Sequence, residues 1–210
     1  RSAHDCSRVS SFWLFMGASS SQGSRKPKPQ VVILGLQGAG KFTLMQAMLA
    51  QSGAKEIVTT RPVIGFEVYS LKLNDLELIS FSNGHLDGVL MNLYRAFFKP
   101  TSALVWMVDS TDKKNFKESR ERLEKFLSCS ELDGHPLLVL ANNKQDSDEA
   151  SSVNEVTEAL HLAEIVVSTG RNWCIKDCST KNMTKIDEGF NWLRKELKLT
   201  GDNGGEENKR

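Results

Sequence analysis

The sequence predicts a mixed α/β domain on a mostly parallel sheet, and three observations carry that expectation. Short apolar, β-branched runs recur along the chain, and amphipathic stretches of helical period lie between them. A glycine-rich loop joins the first such run to the first amphipathic stretch. With 210 residues, 40% of them hydrophobic, the chain is long enough for one globular domain with tails.

Residues 1–29 are set apart as an arm. Segment 17–24, GASSSQGS, is small and polar, and Arg25, Lys26 and Lys28 follow among Pro27 and Pro29. Such a stretch buries too little apolar surface to offset its ordering entropy, so it reads as disordered. Residues 1–15 precede the first methionine, Met16, and read either as an upstream extension or as a fragment artefact. The apolar run Phe12–Met16 is shorter than the ~7 residues that a secretory signal core requires.

Strands and helices then alternate. VVIL (31–34) reads as a strand, and Phe42–Gln51 as a helix. Segments 66–73 and 76–81 read as adjacent strands joined by a turn at Asn74–Asp75. ALVWMV (103–108) is a buried strand ahead of a charged helix over 113–128. PLLVLA (136–141) is the next strand, 152–162 the next helix and NWCIKDC (172–178) the last strand. Ile186, Phe190, Leu193 and Leu197 form the apolar stripe of a closing helix. Residues 200–210, GDNGGEENKR, read as a disordered tail, leaving 30–199 as the domain.

Composition excludes several classes. The 27 basic and 26 acidic residues leave a net charge of +1, so no broad basic face is expected to hold nucleic acid. No apolar run reaches the ~20 residues that span a bilayer. Cys6, Cys129, Cys174 and Cys178 form no CxxC pair, and His4, His85, His135 and His161 are scattered. That spacing does not suit zinc, and reduced thiols in a cytoplasmic protein are expected.

GLQGAGKF (35–42) lies between a predicted strand and a predicted helix, the context in which a glycine loop cradles phosphates. Its glycines let successive N–H groups turn inward, and the helix start adds its positive dipole end. The candidate phosphate contacts are Gly35, Gln37, Gly38, Ala39, Gly40, Lys41 and Thr43, with the Lys41 ammonium reaching the outer phosphates. The motif calls for a hydroxyl directly after the lysine to hold Mg²⁺, and Phe42 stands there. Thr43 points ~100° away around a helix and does not replace it.

Asn143-Lys144-Gln145-Asp146 follows the strand at 136–141. The Asp146 carboxylate can accept from both the N1–H and the exocyclic amine of guanine, a donor pair that adenine lacks. In this strand-to-loop position, about 100 residues after the phosphate loop, the two motifs together point to a guanine nucleotide.

With these motifs, RPVIGF (61–66), LVWMVDSTDK (104–113), RNW (171–173) and GFNWL (189–193), the chain resembles the ADP-ribosylation factor-like small GTPases. The resemblance runs from about Gln30 to Leu199. It implies a phosphate-loop GTPase fold with a six-stranded, mostly parallel sheet, helices on both faces, and GTP or GDP as ligand. Asn143, Lys144 and Asp146 become the guanine contacts. Cys178 and Ser179 fall where the last base-contacting loop should lie, and Gly84 where an N–H should meet the γ-phosphate.

Other positions depart from the family pattern. The resemblance calls for metal ligands at 42, 63 and 82, where the chain has Phe42, Val63 and Ser82. It calls for a water-positioning glutamine where the chain has Leu86, with His85 as the nearest substitute base. Mg²⁺ therefore lacks the ligands that the resemblance asks for, and little or no GTP hydrolysis is expected. The expected function is a guanine-nucleotide-binding switch or interaction module in membrane trafficking, monomeric, its effectors unidentified. Two further readings stand beside it: an active GTPase with unusual metal ligands, and a nucleotide-free scaffold. Met16-Gly17-Ala18-Ser19-Ser20-Ser21 fits the N-myristoylation pattern at Gly17, which with the basic residues of the arm would give a peripheral membrane contact.

Overall fold

A computed structural model describes residues 27–63, 66–82, 94–142, 149–179, 181 and 183–199. Residues 1–26 of the arm, Gly17 among them, the tail, and Gly84, His85, Leu86, Asn143, Lys144 and Asp146 lie outside the described residues. At the arm's end, Lys28 Nζ donates to the Leu73 carbonyl and the Pro29 carbonyl accepts from the Glu77 N–H, so residues 28 and 29 are tied to the domain rather than disordered.

The strands are β1 (Gln30–Gly35), β2 (Ile57–Val63), β3 (Phe66–Lys72), β4 (Glu77–Phe81), β5 (Thr101–Asp109), β6 (Leu137–Asn142) and β7 (Trp173–Cys178). They form one sheet in the order β2-β3-β4-β1-β5-β6-β7. Strands β4, β1, β5, β6 and β7 run parallel, while β2 and β3 add on antiparallel at one side. The helices are α1 (Lys41–Ser52), α2 (Phe116–Leu127), α3 (Val153–Ala159), α4 (Leu162–Thr169) and α5 (Thr184–Glu196), and residues 94–98 are also helical.

The fold class is the expected one, with corrections in detail. The sheet has seven strands rather than six, because Ile57–Val63 pairs with β3. Pro62 interrupts its pattern, and an edge strand is where a missing N–H is tolerated. The helix expected over 152–162 is instead two short helices broken at His161, whose backbone is left-handed at φ 51°. Its first half begins on a capping box, with Ser152 and Glu155 bonding reciprocally.

Strand alternation divides the core into two layers. Val32, Leu34, Leu104, Trp106, Val139 and Ala141 face one side, where α2, α3 and α4 supply Leu123, Phe126, Val156 and Ile165. Val31, Ile33, Val105, Met107, Leu138 and Leu140 face the other, where α1 and α5 supply Leu44, Met45, Met48, Ile186, Phe190 and Leu193. Both faces being covered explains why β1, β5 and β6 read as continuous apolar runs.

Candidate functional site

Parallel strands bring their carboxyl ends to one side of the sheet, where open α/β folds bind ligands. Here those ends are Ser82 after β4, the loop from Gly35 after β1, Asp109 of β5, Asn142 of β6, and Cys178–Ser179 at the end of β7. Every described residue that the sequence assigned to the site from these strands, and from the loop that follows β1, lies on this side.

The loop 35–41 is built around backbone that side-chain-bearing residues rarely adopt. Gly35 has φ +143° and Gly40 φ +94°, and a Cβ on Gly35 would lie 2.3 Å from the Met107 carbonyl oxygen. Gly38, at φ +80°, has open space where a Cβ would be. Gly40 caps α1, with no side-chain cap and no acidic residue in the helix's first turn. The helix's first N–H groups and its positive dipole end are thus left for an anion.

Lys41 is only 7% exposed. Its Nζ donates to the carbonyls of Gly35 (2.9 Å) and Leu36 (2.8 Å), which hold the ammonium inside the loop's curl. Burial, helped by the nearby Arg122 charge, lowers its pKa to about 8. A phosphate would favour the protonated form, so binding is strongest below that pKa and weakens as pH rises through it. We expect GDP affinity to fall about tenfold from pH 7 to pH 9, and Lys41→Arg to flatten the profile. Titration of a fluorescent GDP analogue across that range checks this; a flat profile in the unmodified chain would contradict it.

Phe42 turns outward. Its ring, 42% exposed, leans on Tyr69 of β3 at 4.7 Å between centroids and 50° between planes. The Tyr69 hydroxyl donates to Glu67 Oε2 (2.6 Å), and Arg61 Nε donates to Glu67 Oε1 (2.5 Å). A chain of contacts thus joins α1 to β3 and β2. The Glu67 hydrogen bond is the main reason the Tyr69 pKa is raised.

Ser82 Oγ accepts from the Glu67 N–H at 3.0 Å, so its hydroxyl is tied to β3. Mg²⁺ is a hard cation that asks for carboxylate and hydroxyl oxygens. An aromatic ring at 42, an isopropyl group at 63 and one engaged, neutral hydroxyl at 82 do not fit it. Among the described residues, no group of three or more His, Cys, Asp or Glu could hold a metal.

At the end of β7, the Cys178 thiol is buried in the layer that α1 and α5 cover, and burial pushes its pKa up to about 12. An inert thiol there leaves the backbone as what Cys178 can offer a base. Ser179 is buried beside it, and its Oγ accepts from the Lys181 N–H at 3.2 Å. One further residue enters that the motifs did not single out. Asn142, the last residue of β6, is 7% exposed, and its Nδ2 donates to the Ala39 carbonyl at 3.0 Å.

A glycine loop between strand and helix, a buried lysine inside its curl and a free helix N-terminus define a phosphate-loop nucleotide-binding protein. The model of the ADP-ribosylation factor family matches residues 15–197. The chain is 37% identical over 171 residues to ADP-ribosylation factor-like protein 1 of Saccharomyces cerevisiae, covering 81% of this chain and 88% of that one. It is 32% identical over 185 residues to ADP-ribosylation factor-like protein 3 of Chlamydomonas reinhardtii, covering 88% and 97%. ADP-ribosylation factor K of Dictyostelium discoideum is 33% identical over 172 residues, covering 82% and 87%. The chain therefore belongs to the ADP-ribosylation factor family, and guanine nucleotide is the ligand that membership implies.

Proposed function

We propose that this chain holds guanine nucleotide without depending on Mg²⁺, hydrolyses GTP slowly or not at all, and works as an interaction module in membrane trafficking. One observation carries the reading: the Phe42 ring packs on Tyr69 at the position where a metal-binding hydroxyl would follow the loop lysine. Phosphate charge is then met by the N–H groups of residues 35–41, by Lys41 and by the helix dipole. Those groups compensate a diphosphate more fully than a triphosphate, so GDP is held at least as well as GTP.

Base selection is assigned to Asn143, Lys144 and Asp146 together with Cys178 and Ser179, and a contact with the γ-phosphate to Gly84. Leu86 carries no group that could position water, and hydrolysis loses a further factor there. The nucleotide released on denaturing the purified protein, followed by single-turnover hydrolysis, tests the reading. Bound GDP or GTP with no turnover above the buffer rate is expected. Rapid turnover would show a working GTPase, and absence of any nucleotide-binding capacity would show a scaffold.

The membrane arm of the proposal rests on the sequence at Gly17. One myristoyl chain binds membranes marginally, and Arg25, Lys26 and Lys28 add ~1 kcal/mol each at an anionic surface. Translation from Met16 in cells fed an alkyne myristate is expected to label the protein, and Gly17→Ala to abolish the label. An unlabelled protein starting at Met16 contradicts this part.

A further inference from the structure

Away from the phosphate loop, α2 and α4 leave an open groove of about 420 Å³ between their last turns. Helix α2 begins beside that loop, where Phe116 and Ser119 line a small pocket with Leu36, Gln37 and Ala39. The groove sits at its other end. Leu127 of α2 and Ile165 of α4, both buried, make the apolar floor. Glu124 on one helix and Glu164 on the other, both exposed, give it an acidic rim.

The polar groups around this floor share one sign. Among the described residues, Glu124 faces Arg120 Nε at 3.8 Å with no hydrogen bond between them, and Glu164 meets His161 Nδ1 through one oxygen at 3.0 Å. Both carboxylates thus keep oxygens to offer. Ser128 Oγ donates to the Lys125 carbonyl (2.8 Å) and Ser168 Oγ to the Ile165 carbonyl (2.8 Å), so each hydroxyl keeps only acceptor capacity. Both helices end here, and the carbonyls of their last turns carry the negative end of the dipole. Helix α4 has no basic residue in its last turn, and α2 has Lys125. Thr169 also lines the groove, but its Oγ1 donates to the Ile165 carbonyl (2.9 Å) and accepts from Arg171 Nε (3.0 Å). Arg171 itself is 3% exposed, and its Nη1 donates to the Leu132 and His135 carbonyls, which holds its charge inside the protein.

We infer that this groove is a docking site for a lysine- or arginine-bearing segment of a partner protein. The chemistry matches part by part. An aliphatic stem covers Leu127 and Ile165, and an ammonium or guanidinium, a donor with no acceptor, meets Glu124, Glu164 and the hydroxyl oxygens. The same charges repel nucleic acid and an anionic membrane. Rim carboxylates act on encounter and on choice of partner more than on raw affinity. The groove and the phosphate loop lie at opposite ends of α2, so the inference stands apart from the nucleotide reading.

The probe is a fluorescent Lys-Leu-Arg-Leu-Lys amide, titrated into the full chain. Its charge-free counterpart, with the lysines acetylated and the arginine replaced by citrulline, is titrated alongside. Methyl resonances of Leu127 and Ile165 report where the peptide sits. The cationic peptide is expected to shift both and to bind at least tenfold more tightly than its counterpart. Glu124→Lys and Glu164→Lys should each weaken it about tenfold. Glu56→Lys, an exposed reversal ahead of the edge strand β2 across the sheet, should change affinity by less than about twofold.

Equal affinity of the two peptides overturns the inference, as do methyl shifts confined to other residues. Losses of the same size from Glu164→Lys and Glu56→Lys overturn it too. Should a reversal variant not fold, the peptide pair and the methyl shifts decide alone, since both use the unmodified chain. Without peptide, the Leu127 and Ile165 signals should stay in place on adding salt and on dilution. Movement with salt alone would show a segment of this chain already seated in the groove, and movement with dilution a second copy. Either would overturn the assignment to a partner protein.

Discussion

Gly35→Ala is expected to lower folding stability by about 4 kcal/mol, from left-handed strain and steric overlap of roughly equal size. A methyl group there would lie 2.3 Å from the Met107 carbonyl oxygen, and residue 35 holds φ +143°. The neighbour that would have to move is backbone of β5, paired with β1 at the register Gly35↔Met107. No side-chain rotamer can relieve the overlap, and shifting β5 would disturb both core layers. For a domain of this size the loss corresponds to about 8–16 °C in melting temperature. Gly38→Ala, with nothing within 4 Å of its Cβ, meets only its φ of +80° and is expected to lose about 1 kcal/mol. Urea denaturation of both variants checks this; a loss below about 1 kcal/mol at Gly35 would contradict the tight β1–β5 contact.

Lys41→Met should separate binding from stability in opposite directions. Without a metal, the Lys41 ammonium is the main side-chain charge offered to the phosphates, and its loss should weaken GDP about a hundredfold. Folding should not suffer, because burying this amine costs free energy. Its pKa is lowered from 10.5 to about 8 in the folded chain, so below pH 8 the charged form is held at a cost of about 3 kcal/mol. The unfolded chain binds more protons than the folded one between about pH 8 and 10.5, so this group makes stability rise with pH across that window. Lys41→Met is expected to remove that rise and to be at least as stable at pH 7. Denaturation curves at several pH values, paired with GDP titration, check both halves. A strongly destabilised variant would show that the two carbonyl bonds of Lys41 outweigh its desolvation.

Legibility in the sequence followed burial. Strands β1, β5 and β6 are covered on both faces, so each appears as an unbroken apolar run. Strand β2, an edge strand carrying Pro62, has no such run. Helix α4 was hidden by Ile165, Val166 and Val167, a β-branched cluster that reads against helix, although its core contacts through Leu162 and Ile165 hold it. The phosphate loop could be found because its glycines are demanded by backbone geometry, and backbone demands show in composition. Asn142 is visible as the extra asparagine before the NKQD letters, but its bond to the Ala39 carbonyl is not. That its side chain faces the loop follows from strand parity, and parity is fixed by Leu138 and Leu140 packing beneath α1 and α5.

The departures at the metal positions were visible as residue types, yet their packing was not. The Phe42 ring is engaged with Tyr69, and Tyr69 with Glu67 and Arg61, so the substitution at 42 is built into the β2–β3 hairpin. Reverting it alone to threonine would remove that contact without supplying oxygens at Val63 or a carboxylate at Ser82. Restoring a metal site is therefore expected to need all three changes.

Calorimetric titration of GDP in millimolar Mg²⁺ and again in excess EDTA measures how far nucleotide binding by this chain leans on the metal. The two affinities should differ by less than about threefold, or ~0.6 kcal/mol. A hundredfold loss in EDTA, ~2.7 kcal/mol of metal coupling, would contradict it and require a working Mg²⁺ site despite Phe42, Val63 and Ser82.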